Sequence, residues 1–226
     1  MKHLIVFDVN ETLLDVGALD SQFERVFGNR LARTKWFSQL LQGSFVATIT
    51  NRYNNFGEIA GAALDMIAAR SGVSLRPEDR AAILGGIRNL PPHPDVIPGL
   101  QKLRSAGFRL STLTNSPPQV VEAQLRHANL TEFFEQSLSV DAVRVFKPAV
   151  EVYRMAAERL GVNVGQIRLV AAHDWDIAGA LSAGCAAAFI ARRGMVLNPL
   201  MPKPDIVGSD LIQVADKIIA QASGRD

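Results

Sequence analysis

Leu4-Ile5-Val6-Phe7-Asp8-Val9-Asn10-Glu11-Thr12-Leu13-Leu14-Asp15 is the stretch that decides how the rest of the chain is read. Four consecutive apolar residues, Leu4 to Phe7, have the length and composition of a strand buried on both faces, as in a parallel sheet. The run stops at Asp8, and Asn10, Glu11 and Thr12 follow before apolar character returns. A carboxylate at the carboxyl end of such a strand stands where open α/β sheets bind their ligands. Asp8 is therefore a candidate nucleophile; a helix N-cap or turn role is its alternative reading.

Beyond Asp15 the apolar period becomes helical and stays so through residue 94. Phe23, Val26 and Phe27 share one face, and Trp36, Phe37, Leu40 and Leu41 repeat the three- and four-residue spacing. Residues 43–56 read as a separate helix on Phe45, Ile49 and Tyr53, and 59–69 as another, stopped by Ser71-Gly72. Arg76-Pro77-Glu78-Asp79 opens a fourth, with proline near its first turn. Pro91-Pro92-His93-Pro94 is a rigid polar junction. Residues 16–94 are thus expected to form an all-helical cap, inserted into a core made of residues 1–15 and 95–226.

From Pro98 helices and strands alternate. A helix over 100–106 ends at Gly107, and a strand over 108–113 closes on Thr114-Asn115-Ser116-Pro117-Pro118. A helix over 120–127 leads to a strand at Leu138-Ser139-Val140. Val145-Phe146-Lys147-Pro148 precedes a helix over 150–160. A strand over 167–172 ends in His173-Asp174-Trp175-Asp176 and is followed by a helix over 177–183, a strand over 187–191 and a last strand at Ile206-Val207. This alternation predicts an α/β, Rossmann-like parallel sheet with helices on both faces.

With 226 residues, 48% hydrophobic and 20% charged, the chain has material for a core and an insert. The net charge of +2 comes without any basic run, which argues against a nucleic-acid partner. The single cysteine, Cys185, lies in an apolar stretch, so an inert buried thiol is expected and an internal disulfide is excluded. Met1-Lys2-His3 leads straight into the first strand, so no leader is expected. No apolar segment approaches the about 18 residues that span a membrane. A cytoplasmic protein without a membrane partner is the expectation.

Asp8, Thr114 with Asn115, Lys147, and the run from His173 to Asp176 all fall at strand ends or in the loops just after them, and in such a sheet those ends form one cleft. A carboxylate nucleophile needs a cation to hold it ionised, and Lys147 can supply one. Asp176 can fix that lysine in turn. Thr114 and Asn115 bring a hydroxyl and an amide suited to orienting the nucleophile and gripping a substrate carboxylate. Taken singly, each also reads as a loop or capping residue.

Taken in order, Phe-Asp-Val-Asn-Glu-Thr-Leu-Leu-Asp, Leu-Thr-Asn-Ser, Phe-Lys-Pro and His-Asp-Trp-Asp-Ile-Ala-Gly-Ala resemble the four motifs of the haloacid dehalogenase superfamily. Within it the chain is most similar to the L-2-haloacid dehalogenase (type II) family, and the resemblance extends over its whole length. It implies that Asp8 displaces a halide from carbon and that water hydrolyses the resulting ester, with no cofactor. It gives Thr12 and Thr114 nucleophile-positioning and substrate-binding roles, and makes Lys147 the cation beside Asp8. Tyr153 falls on a family tyrosine, and Asp176 on the carboxylate that holds the lysine and the hydrolytic water. Asn10, Asn115, Tyr153 and Trp175 complete the expected substrate-binding set. A homodimer acting on short 2-haloacids, defluorination included, is implied.

The rival within the superfamily is a magnesium phosphatase. Its second motif-one aspartate is Asn10 here, which cannot shuttle a proton, and a ligand aspartate is Ala171. Asp174 is the residue that could replace the lost ligand. The dehalogenase pattern is also incomplete, because Ser38 stands where the family has its halide-binding cap arginine. Arg33, Lys35 and Arg52 are the nearby cations, and His173 is the expected replacement donor to the halide. A catalytically silent binding homologue is the third reading.

Overall fold

The computed structural model describes residues 4–224. Residues 1–3, on which the expectation of no leader rests, and 225–226 lie outside the described residues. Six strands, β1 (Leu4–Phe7), β2 (Leu110–Thr114), β3 (Gln136–Ser139), β4 (Ile167–Ala171), β5 (Ala186–Ile190) and β6 (Ile206–Gly208), form one sheet. Their order is β3-β2-β1-β4-β5-β6, with every neighbouring pair parallel. β1, β2 and β4 are buried at every position, as a sheet covered on both faces requires.

The sheet order turns at β1, which has β2 on one side and β4 on the other. That is the topological switch point, where a crevice opens beyond the carboxyl ends of the strands. Phe7 is in register with Val170, and the Asp8 amide extends the ladder by donating to the Val170 carbonyl at 3.1 Å. Asp8 therefore lies beside the residues that follow β4.

Four helices, α1 (Asp20–Phe27), α2 (Leu31–Ile49), α3 (Phe56–Arg70) and α4 (Pro77–Gly86), occupy the segment read as an insert. The expected break at residue 43 is absent, and α2 runs through it. Gly43 sits where α2 meets α3: a Cβ there would lie 2.8 Å from Ile59 Cγ2. The glycine serves close helix packing, and tertiary contact outweighs its poor helix propensity. The Trp36 indole donates to the Ala60 carbonyl at 2.9 Å across the same pair. Tyr53 consequently lies in a loop, and Asn55 with Glu58 forms the capping box that opens α3.

α5 (Val96–Ser105), α6 (Pro118–His127), α7 (Val150–Leu160), α8 (Asp174–Ala183) and α9 (Leu211–Ser223) flank the sheet. α9 is an addition to the reading from sequence. Asp210 caps it, and Leu211, Val214, Ala215 and Ile218 form its buried stripe. Two hydrogen bonds are among the contacts that tie the helical segment to the sheet end. The Tyr53 hydroxyl donates to Asp141, and the Phe146 amide donates to Thr48 Oγ1 at 3.0 Å. Among the described residues no helix is long and apolar enough to cross a membrane.

Candidate active site

Asp8 caps the end of β1 with only 4% of its surface exposed. Its Oδ1 accepts from Lys147 Nζ at 2.8 Å. Its Oδ2 accepts from the Thr12 hydroxyl at 2.7 Å and lies 3.1 Å from His173 Nδ1. Thr12 Oγ1 itself accepts from the Ala172 amide at 2.9 Å, which turns its proton toward Asp8. β1 and β4 thus hold the nucleophile candidate from both sides.

Lys147 is fully buried, and three acceptors take up its ammonium. They are Asp8 Oδ1, Asp176 Oδ2 at 2.6 Å and the Leu113 carbonyl at 2.9 Å. Burial opposes its charge, but Asp176 and Asp8 outweigh burial and raise its pKa. Burial also works against ionised Asp8, yet the Lys147 charge and the His173 contact hold that carboxyl far below the usual range. Asp8 is an anion at any working pH. Asp176, fully buried on the first turn of α8, is pushed upward by burial despite its lysine partner.

His173 is placed differently from the sequence expectation. Its Nδ1 faces Asp8, and its Nε2 lies 3.0 Å from Glu11 Oε2, so neither ring nitrogen is left to a halide. Burial disfavours its charge, but the hydrogen bonds to Asp8 and Glu11 prevail and lift its pKa to about 9. The ring is flanked by Trp175 at 4.8 Å between centroids and by Phe37 of α2 at 6.1 Å. Behind Glu11 stands Arg33 of α2, with Nη1 3.4 Å from Oε1 and Nε bonded to Asp20.

The remaining candidates divide between cleft and support. Thr114 Oγ1 accepts from the Ser116 amide at 3.1 Å, and Asn115 Oδ1 accepts from the Lys147 amide at 3.1 Å. Both shape the end of β2 beside the lysine. Trp175 is half-buried, meets Phe45 of α2 edge-on at 5.6 Å, and lies 5.9 Å from Lys147 Nζ. Tyr153 lies behind the site, donating to Asp176 Oδ1 at 2.6 Å, and is 1% exposed. Asn10 points into the core: Nδ2 donates to Ser116 Oγ at 3.2 Å and Oδ1 accepts from Gln124 at 2.9 Å. Of the other cations in the helical segment, Lys35 lines an outer groove with Ser38, Gln39 and Arg70, and Arg52 is exposed beyond α2.

A profile of the haloacid dehalogenase-like hydrolases matches residues 2–184. The chain belongs to that family. An (S)-2-haloacid dehalogenase of Pseudomonas sp. strain YL is 31% identical over 89% of this hydrolase and 88% of its own length. (S)-2-haloacid dehalogenase 1 of Pseudomonas sp. strain CBS-3 is 32% identical over 77% of this chain and 78% of its own. Among solved structures, the L-2-haloacid dehalogenase from Xanthobacter autotrophicus with chloropropionic acid covalently bound superposes with a TM-score of 0.90. It is 26% identical, over 96% of this hydrolase and 98% of that chain.

A magnesium site does not fit the side chains present. Ala171 at the end of β4 offers a methyl group where a carboxylate is needed, and the Asn10 amide is spent in the core. Among the described residues no set of three or more His, Cys, Asp or Glu side chains is arranged to hold a metal ion. Asp174, the conceivable substitute, is half-buried at the start of α8 and joins no such set.

Three contributors escape a reading of the sequence. Glu11 lies inside motif one but has no periodic or motif signal for its contact with His173. Phe37 reads only as an apolar helix residue. Arg192 joins the site through the backbone, its guanidinium donating to the Thr12 carbonyl at 2.9 Å and to Asp95 at 2.7 Å. No local pattern announces a partner 180 residues away.

Proposed function

We propose that this hydrolase removes halide from short 2-haloacids, haloacetates included, and yields the 2-hydroxyacid through an ester on Asp8. The observation that carries the reading is the buried Asp8 carboxylate at the switch point, kept ionised by Lys147 and needing no metal to be charged. A permanently ionised carboxylate is a poor general base but a persistent nucleophile. The relatives named as (S)-2-haloacid dehalogenases support the substrate class.

In this reaction Asp8 attacks the halogen-bearing carbon, a carbon–oxygen bond forms, and the halide leaves with the bonding pair. Water then adds to the ester carbonyl carbon, and Asp176, whose basicity burial raises, takes the proton. Asn115 and Thr114 at the end of β2 meet the substrate carboxylate, and Trp175 and Phe37 form the apolar walls beside the reacting carbon. Residues 16–94 act as a cap that contributes Phe37 and Phe45 and excludes water during displacement. A polar cavity of ≈ 450 Å³ is lined by Arg33, Arg192 and Arg193 together with Glu11 and Asp15, and its three guanidinium groups outnumber its two carboxylates, which favours an anionic substrate. Exposed Leu31, Val46 and Ile49 on α2 fit a second copy of the chain.

Halide release from fluoro-, chloro- and bromoacetate, and from L-2-chloropropionate, tests the activity. Single turnover in ¹⁸O-water tests the mechanism, because the label should enter Asp8 before it reaches product. Label passing directly into product would mean that water, not Asp8, attacks the substrate.

A further inference from the structure

We infer that Glu11 and His173 form a dyad that serves ester hydrolysis: His173, with Thr12, binds Asp8 Oδ2 as the developing oxyanion, and Glu11 positions His173. The inference rests on the proposed ester chemistry and assigns a role to a residue that the family motif leaves without one.

The backbone at Glu11 is the first sign. Its φ is +60°, in the left-handed region that long side chains seldom occupy. Such conformations persist where the surroundings over-determine them, often because the side chain is needed. The loop is pinned on both sides, since the Glu11 amide donates to the Leu14 carbonyl at 2.8 Å and His93 Nε2 lies 3.3 Å from the Glu11 carbonyl. The resulting turn aims the Glu11 carboxylate at His173.

Hydrogen-bond bookkeeping then fixes the protonation of His173. Both of its nitrogens face carboxylate oxygens, and an ionised carboxylate only accepts. Both nitrogens therefore donate, and the ring is an imidazolium. Its pKa of about 9 agrees with that geometry. The charged groups around it are Asp8 from β1, Glu11 from its loop, Arg33 from α2 behind Glu11, and Lys147 on the far side of Asp8. The Trp175 ring stacks on the imidazole at 4.8 Å between centroids, and the Phe37 ring lies near-parallel to it at 6.1 Å.

The two oxygens of Asp8 are not equivalent. Among the described residues, Oδ2 receives two donors, Thr12 and His173, and Oδ1 receives one, Lys147. The less committed Oδ1 attacks carbon, and Oδ2 remains as the ester carbonyl oxygen. When the oxygen of water bonds to Asp8 Cγ, the carbonyl electron pair moves onto Oδ2, between the Thr12 hydroxyl and the imidazolium. Asp176 receives one proton of the water. The pair then returns to the carbonyl, the Cγ–Oδ1 bond breaks, Oδ1 departs on the substrate carbon as an alkoxide that takes the proton from Asp176, and the oxygen of water stays on Cγ. Asp8, reformed as a carboxylic acid, releases its own proton to solvent. Donors preorganised at such an oxyanion speed the step by about 10²- to 10³-fold each.

The test uses Glu11→Gln, which removes the charge, and Glu11→Gly, which suits the positive φ and preserves the turn. Rapid quench with chloroacetate separates chloride release from product formation, and intact mass spectrometry detects the ester. Both variants should keep a chloride burst within about 10-fold of wild type while steady turnover falls about 10²-fold. The ester should accumulate on Asp8, with equal losses for chloro- and bromoacetate. Imidazole ¹⁵N NMR should show His173 charged at pH 8 in the wild type and neutral in Glu11→Gln. Equal losses in burst and turnover, no loss at all, or an unchanged His173 charge would overturn the dyad. A wild-type protein that releases no halide from any substrate would instead overturn the dehalogenase reading, and the hydrolytic role with it.

Discussion

A Cβ on Gly179 would lie 2.5 Å from the hydroxyl oxygen of Tyr153. It would also come within 2.6 Å of Pro148 Cβ and 2.7 Å of the Pro148 carbonyl. α8 can therefore approach the loop carrying Lys147 only because residue 179 has no side chain. That approach puts Asp176 against both Lys147 and Tyr153. Gly179→Ala should lower stability by about 1–3 kcal/mol, since backbone and ring must both give way in a close-packed region. It should also depress turnover by about 10-fold or more, as catalytic geometry tolerates little displacement. Urea unfolding and halide release measure the two effects. Wild-type values in both would show that the neighbouring elements yield without consequence.

Removing the ammonium by Lys147→Met leaves Asp8 and Asp176 buried with no cation between them. Breaking a buried pair by deleting one partner costs about 3–5 kcal/mol, unless a carboxyl takes up a proton. Turnover should fall by at least about 10³-fold, and Asp176, already raised by burial, should be the group that protonates. The variant should therefore lose less stability at pH 5 than at pH 8. Denaturation midpoints at the two pH values check this, and the opposite order would contradict the account.

The sheet and the main candidate residues were legible because strand ends, or the loops after them, carry short polar stretches that follow apolar runs. Asp8, Thr114, Lys147 and Asp176 are visible in that way, and the structure gathers them around one ammonium group or directly beside it. What stayed hidden depends on contacts between distant segments. Gly43 looked like a helix break because its packing against Ile59 is invisible in the local sequence. Tyr153 looked like a substrate ligand, but α8 draws its hydroxyl onto Asp176. His173 looked like a free donor because nothing in the sequence places Glu11 against its far nitrogen. Each of these placements arises where tertiary packing overrides a local rule, which is common at functional sites.

Activity should not depend on a divalent metal. Magnesium requires oxygen ligands at near-octahedral geometry, and Ala171 with a core-bound Asn10 leaves too few. Halide release should be unchanged after dialysis against EDTA and unaffected by added Mg²⁺, and p-nitrophenyl phosphate should not be hydrolysed. Activity lost with EDTA and restored by Mg²⁺ would revive the phosphatase alternative.

The last prediction concerns stability and pH. His173 has an ordinary pKa near 6.5 and a folded value raised to about 9, because Asp8 and Glu11 favour its charged form over the cost of burial. A group whose pKa is raised on folding binds its proton more tightly in the native state, so stability falls as pH rises between the two values. The contribution is complete below pH 6.5, declines through the interval, and is gone above about 9. A shift of this size corresponds to up to about 3 kcal/mol. His93 does not mimic the effect, since burial pushes its pKa down. Urea unfolding of the wild type should therefore weaken steadily from pH 6.5 to 9. His173→Gln should be less stable at pH 6 and nearly flat over the same range. Glu11→Gln should show a smaller slope that ends at lower pH. A wild-type curve that is level from pH 6.5 to 9 would mean that His173 is not held as an imidazolium between the two carboxylates.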